Sequence, residues 1–182
     1  MYQANRSRAI EDAANTAAAE FSAFLTEYIE TRRDDPRDDL ITNLIAAEED
    51  GMKLSTDELI GTCVLLLNAG HEATVHSMGN AVKTLLENDT PRSALEPKAI
   101  ADTTEELLRY DPPLHMFTRY AYEDIEVGGM SLKKGEQVAL VLGSAGRCEK
   151  VWEHPDSFSP SKNSKSHVAF GGGLHFCVGA PL

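Results

Sequence analysis

The sequence predicts a mostly α protein with a small β-sheet late in the chain. Apolar residues recur at helical spacing from residue 6 to about 110. The period then shortens to that of strands between about 117 and 142. Beyond 153 prolines, serines and asparagine follow without any periodicity, which reads as loop.

The first helix spans residues 6 to about 33, with Ile10, Phe21, Phe24, Leu25 and Ile29 along one side, and "DDP" at 34–36 stops it. A shorter helix, "RDDLITNLIAAEED", ends at Gly51. "STDE" at 55–58 is a capping box, in which Ser55 caps the next helix and Glu58 reaches back to its amide. That helix meets no proline until Pro91, so it runs over about 55–88, roughly 50 Å at 1.5 Å per residue. Helices of this length cross the middle of a domain. Thr90 before Pro91 caps a further short helix. "KAIADTTEELLRY" gives another, over about 97–110, closed by Pro112 and Pro113. "TRYAYEDIEV", "GGMSLKKGEQ" and "VALVLGS" are short strands separated by glycine turns, forming one small sheet.

Composition narrows the function classes. A net charge of −12 over 182 residues argues against nucleic acid or an anionic membrane as the main partner. The acidity is uneven: residues 1–60 hold 14 acids and 6 bases, whereas 160–182 hold Lys162 and Lys165 and no acid. Cys63, Cys148 and Cys177 are an odd set without repeated spacing, unlike a secreted disulfide framework. No signal-peptide stretch opens the chain, and the most apolar run, "LIGTCVLLLNAG", is too short to span a bilayer. A reducing cytoplasm is the expected location.

Three stretches carry chemistry. "FGGGLHFCVG", 170–179, sets a thiol behind three glycines and a histidine. Glycines let a backbone pass very close to a bound group, and a thiolate is a soft ligand or a nucleophile. Zinc would want C-x-x-C spacing, a phosphate loop would need Lys-Ser or Lys-Thr after the glycines, and a nucleophile would need a nearby base. A flat macrocycle lying on Gly171–Gly173, with Cys177 on its iron, uses every residue of the stretch. "AGHEATVH", 69–76, places Gly70 inside a helix at a cost of about 1 kcal/mol, beside the carboxylate of Glu72. His71 and His76 are five apart, which is not the zinc spacing on a helix. Glu106 and Arg109 share one helix face at i, i+3 and can pair. Taken alone, such a pair is more often an exposed surface feature.

Together these stretches resemble the cytochrome P-450 superfamily. Phe170, Gly173, Cys177 and Gly179 fill the pattern F-x-x-G-x-x-x-C-x-G of its haem loop. "AGHEAT" is similar to the oxygen-binding stretch of its central helix, "EELLR" to its E-x-x-R helix, and "HPDSFSP" to its P-x-R-F loop with Phe158 kept. "TRYA" resembles the strand whose arginine, here Arg119, holds a haem propionate, and His175 matches a second propionate partner. The resemblance covers essentially the whole chain and implies the C-terminal-side portion of that fold. On this reading 1–182 is a single partial domain, with the N-terminal half and the C-terminal end of the family domain absent.

The resemblance implies a bacterial-type haem-thiolate monooxygenase. Its haem b would be ligated through iron by Cys177 and packed by Phe170, Gly171, Gly173, Gly179, Ala69 and Gly70. Glu72, Ala73 and Thr74 would serve oxygen binding and proton delivery, while Glu106 and Arg109 are structural. A ferredoxin-type donor with its reductase would supply electrons, and O2 would oxidise a small apolar organic substrate. Residues 114–118 are expected to reach the pocket. Two departures stand out. Ala73 replaces the usual threonine, and Thr74 is rotated about 100° from that position. Ser157 replaces the P-x-R-F arginine, which leaves the Glu106–Arg109 network one cation short. A non-catalytic remnant unable to keep haem, and a peroxide-using enzyme of the same fold, remain open alternatives. A zinc or cysteine-hydrolase reading is more distant.

Overall fold

The structure, a computed structural model, describes residues 7–49, 54–162, 164 and 166–181. Cα packing divides the chain into two compact units, Met1–Ala69 and Gly70–Leu182.

In the first unit, α1 (Arg8–Asp34) starts at Ser7, whose side chain accepts from the Ile10 amide. It ends at Asp35, whose amide bonds Thr31, as Pro36 prevents further helix. α2 (Leu40–Glu49) follows; Gly51, expected to stop it, lies outside the described residues. α3 (Thr56–Glu87) opens on the expected capping box. The Ser55 amide donates to Glu58 Oε2 at 2.7 Å, and the Glu58 amide donates to Ser55 Oγ at 3.3 Å. Leu25 and Ile29 of α1, Ile45 of α2, and Leu59 and Cys63 of α3 form the buried core, flanked by Phe21, Ile41 and Leu44. Cys63 acts there as a small apolar side chain, and burial pushes its thiol pKa up. Its chemistry is accordingly quenched.

The second unit holds most of α3 and the remainder of the chain. A 3₁₀ turn, Arg92–Leu95, precedes α4 (Ile100–Tyr110). The expected Thr90 cap does not form. Pro91 occupies the capping position, and Thr90 Oγ1 is buried without a partner. The turn is tied to α4 instead by Thr103, whose buried hydroxyl donates to the Ala94 carbonyl at 2.7 Å.

The strands form two antiparallel pairs rather than one sheet. β1 (Met116–Tyr120) pairs with β4 (Gln137–Val141) in the register Thr118 to Ala139. β2 (Ile125–Val127) pairs with β3 (Met130–Leu132) across Gly128 and Gly129, both at positive φ. The expected strand over 118–127 breaks at Ala121, which exchanges backbone bonds with Glu136 and Gly135 and closes the β1–β4 ladder. A single helical turn, α5 (Leu142–Ala145), follows β4. Among the described residues, no helix is long and apolar enough to cross a membrane.

Leu59 is fully buried, whereas Leu67 on the same helix is half exposed. Leu59→Ala should cost about 2–5 kcal/mol, and Leu67→Ala no more than about 0.5 kcal/mol. Urea unfolding of chain 1–182 checks this, and equal losses would place the core elsewhere.

Candidate functional site

α4 carries the pair Glu106 and Arg109, at 0% and 1% exposure. The i, i+3 spacing puts both side chains on the helix face packed against the loop that follows α5. Arg109 Nε and Nη2 donate to the two oxygens of Glu106 at 2.6 and 2.8 Å, a bidentate fork. Its remaining donors go to three carbonyls: Gly146 at 2.6 Å, Pro155 at 2.8 Å and Ser157 at 3.2 Å. Glu106 also accepts from the Ser159 amide at 3.0 Å and from the Ser164 hydroxyl. Burial alone pushes the Glu106 pKa up, but Arg109, Ser164 and Ser159 outweigh it and hold the carboxyl below its ordinary range.

The pair is buried rather than exposed on the surface. Among the described residues Glu106 meets no cation other than Arg109. Ser157 contributes its carbonyl, and Lys162 reaches back to the same loop, donating to the carbonyls of Glu153 (3.0 Å), His154 (3.1 Å) and Ser157 (3.4 Å). An ammonium from a different position therefore neutralises the carbonyls of the serine-bearing loop. Lys165, the other base of this segment, lies outside the described residues.

Around this centre the contacts are close. A Cβ at Gly146 would lie 2.3 Å from the Arg109 carbonyl, so only glycine permits this approach. Arg147 donates to the Tyr110 carbonyl and lies 3.7 Å over the Tyr110 ring. Phe158 meets the same ring edge-on, and buried Trp152 donates to the Ala145 carbonyl at 3.1 Å. Sequence reading missed Gly146, Arg147, Trp152, Ser164 and His167. The available signal was the donor count of a buried arginine, whose five N–H groups require acceptors somewhere.

The glycine–cysteine stretch folds back on itself. The Cys177 amide donates to the Phe170 carbonyl at 2.9 Å, and the Gly171 amide donates to that of Val168 at 2.9 Å. Gly171 and Gly173 sit at φ +76° and +66°, a conformation that side chains resist. His175 ends a 3₁₀ turn, Gly173–His175, rather than lying on extended chain. Phe170 and Phe176 meet edge-on, 6.3 Å apart. Cys177 is exposed, as are Leu174 and Val178, and a Cβ at Gly172 or Gly173 would meet open space. No helix follows Cys177 among the described residues; 178–181 form a turn. Pro181 has no N–H for the i→i−4 bond to the Cys177 carbonyl, which is taken by the Ala180 amide at 3.2 Å.

The other sequence-derived site residues lie on separate elements. Arg119 on β1 is exposed, donates to the Thr118 carbonyl and lies over the Phe117 ring. Ala69, Gly70, Glu72 and Thr74 are exposed on α3, and Ala73 is half-buried. Gly70 has open space beside it and interrupts nothing in the helix. Among the described residues, no hydrogen bond joins Arg119 or residues 70–74 to the 170–179 loop.

The thiol on a glycine loop and the buried Glu–Arg pair both lie in the second half of the sequence. The family model "Cytochrome P450" matches residues 100–182, which hold both features. The polyketide biosynthesis cytochrome P450 PksS of Bacillus subtilis is 40% identical over 171 residues, 92% of this chain and 42% of that protein. Cytochrome P450 107B1 of Saccharopolyspora erythraea is 44% identical over 162 residues, 87% of this chain and 40% of its own. The similarity of this chain is to the cytochrome P450 family. The crystal structure of P450BioI, solved in complex with a fatty-acyl-ligated acyl carrier protein, superposes with a TM-score of 0.87 at 37% identity. That match covers 98% of this chain and 46% of P450BioI. The chain thus spans about two fifths of the length of the curated P450 relatives it matches. What matches is the mostly helical part with its small antiparallel strands.

Ionised Glu106 makes the stability of this chain acid-sensitive. Its folded pKa lies below the unfolded value near 4.5, so the stabilisation is complete above that value and is lost as pH falls through the folded pKa. Urea midpoints measured from about pH 7 to about pH 3 should fall steeply at the acid end. Glu106→Gln should cost about 3–5 kcal/mol at neutral pH and flatten the acid limb. An unchanged acid limb would mean that Glu106 is not the titrating anchor.

Proposed function

We propose that the protein to which this chain belongs is a haem-thiolate monooxygenase that inserts one atom of O2 into a small apolar organic substrate. The observation carrying this reading is the exposed Cys177 thiol on a loop bent by two left-handed glycines. The donor set fits a haem: a soft sulfur, open space over Gly172 and Gly173, and apolar side chains at 174 and 178. Cys177 would ligate the iron of haem b, with Phe170, Gly171, Gly173 and Gly179 packing the ring. His175 and Arg119, both exposed, would hold the propionates. When bound, the group supplies oxygen activation, which thiolate electron donation favours.

The remaining roles belong to side chains of this chain. Ala69 and Gly70 keep one face of α3 free of bulk, leaving room for a small diatomic molecule. Because Ala73 has no hydroxyl, either a water ordered near Glu72 and Thr74 or a hydroxyl of the substrate passes protons inward. Electrons come from a ferredoxin-type protein with its reductase, docking at the base-rich 160–182 segment in a cytoplasmic setting. A peroxide-driven reaction is the second reading, favoured by the missing hydroxyl at Ala73, and turnover with hydrogen peroxide in the absence of any reductase would establish it.

Two experiments on the full-length protein test this reading. Its reduced, CO-bound absorption should lie far to the red of a histidine-ligated haem. Cys177→Ser should abolish that band, while Cys63→Ser and Cys148→Ser leave it intact. Persistence of the band in Cys177→Ser would sink the assignment. The second experiment compares product and peroxide formed per nicotinamide cofactor oxidised. Ala73→Thr should raise the product share for substrates without a hydroxyl and leave hydroxylated substrates nearly unchanged. Tight coupling in wild type, unaltered by the substitution, would refute the proton-relay role.

A further inference from the structure

One buried titratable group is left unused by the roles above. His167 lies three residues before Phe170, and its side chain is 3% exposed. Its Nδ1 accepts from the Ala169 amide at 3.1 Å, so that nitrogen carries no proton and the ring is the neutral Nε2–H form. Nε2 faces Glu105 Oε2 of α4 at 3.4 Å, outside hydrogen-bond geometry. The ring packs at 5.7 Å against Phe170, whose carbonyl holds the Cys177 amide. Behind it, the His167 amide donates to the Ser164 carbonyl, and the Ser164 hydroxyl donates to Glu106. Adjacent α4 glutamates thus meet the segment at two points: Glu105 faces His167, and Glu106 holds Ser164 by a hydrogen bond.

We propose that His167 is a positioning residue for the Cys177 loop, coupling it to α4 through the Ala169 amide and the Phe170 ring. This inference rests on the haem-thiolate reading for its functional meaning, not for its geometry. A protonated ring would turn a second donor onto the Ala169 N–H, break that bond, and free the Phe170 carbonyl to shift with the cysteine amide. Among the described residues, the charged groups facing the ring are Glu105 and Arg109, both from α4, while Glu106 acts at one remove through Ser164. Phe170 brings no charge. Burial first, with Arg109 adding to it and Glu105 opposing, holds the His167 pKa below its ordinary value of 6.5. The neutral, loop-holding form therefore prevails at 6.5 and above, and it is lost only as pH falls through the lower folded-state pKa.

The experiment uses the full-length, haem-loaded protein and three forms: wild type, His167→Asn and His167→Phe. Asn offers an oxygen where Nδ1 stands and cannot be protonated, whereas Phe keeps the aromatic volume without an acceptor. Amide exchange across 164–177 is read by mass spectrometry, comparing the forms at each pH so that intrinsic exchange chemistry cancels. His167→Phe should exchange roughly tenfold faster or more at every pH. Wild type should approach it only at acid pH, and His167→Asn should stay protected throughout. In parallel, the red-shifted fraction of the CO-bound band should fall in the same order. Equal exchange and equal bands in wild type and His167→Phe would overturn the proposal. So would an acid transition that persists in His167→Asn. A wild type without the red-shifted band at any pH would overturn the haem-thiolate reading instead, and exchange would still decide the role of His167.

Discussion

The second unit is organised by one dry ion pair. Glu106 and Arg109 lie one helical turn apart with no water to screen them, so every lone pair and N–H must find a protein partner. They do so by reaching off the helix: three carbonyls on Arg109, and an amide and a hydroxyl on Glu106. The cost of burying charge thereby becomes a constraint on shape. Among the described residues of 146–164 there is no helix or strand, and their path follows the acceptors that Arg109 needs and the donors that Glu106 needs. Removing either partner would leave a naked charge, which is far worse than never having buried the pair.

Around Ser157 the loop presents clustered carbonyls, and two cations meet them. Arg109 meets the Pro155 and Ser157 carbonyls, and Lys162 meets those of Glu153, His154 and Ser157 from the other direction. A flexible ammonium suits this task because carbonyl oxygens ask for a point charge rather than a planar fork. The arrangement also bears on the electron donor. Lys162 spends its three donors inside the molecule, so what it offers a partner is long-range field and not a free hydrogen-bonding group.

Much of this was legible from sequence, and the limits are physical. Helices, capping box and strand region followed from period and punctuation, because those signals are local. Cys177 and its glycines were legible because left-handed φ at 171 and 173 restricts the residue types allowed. Legibility failed wherever the partner was distant. The Thr90 cap looked right in sequence, yet Pro91 took the position while Thr103 made the tie from nine residues beyond Ala94. The sheet split because Ala121 closes one ladder before β2 begins the next, which no alternation pattern records. Ser164 and His167 sit in an aperiodic stretch, and only the fold brings them to α4.

The electrostatics of the anchor and of the cysteine loop are one system. Arg109 is held by Glu106, but its field also reaches His167 and opposes a second cation there, while Glu105 pulls the other way. Arg109 therefore does more than fasten a helix to a loop. Its charge adds to burial in keeping the next ring along neutral, and a neutral ring is what leaves Nδ1 free to accept the Ala169 amide. From that amide the path to sulfur is short: Phe170 packs tilted against the ring, and its carbonyl fixes the Cys177 N–H. Protonation at either end weakens the same chain of contacts. A soft ligand on a glycine loop has little stiffness of its own, since residues at positive φ gain no support from side chains. Its rigidity is borrowed from α4, and the loan holds only while Glu106 stays charged and His167 does not.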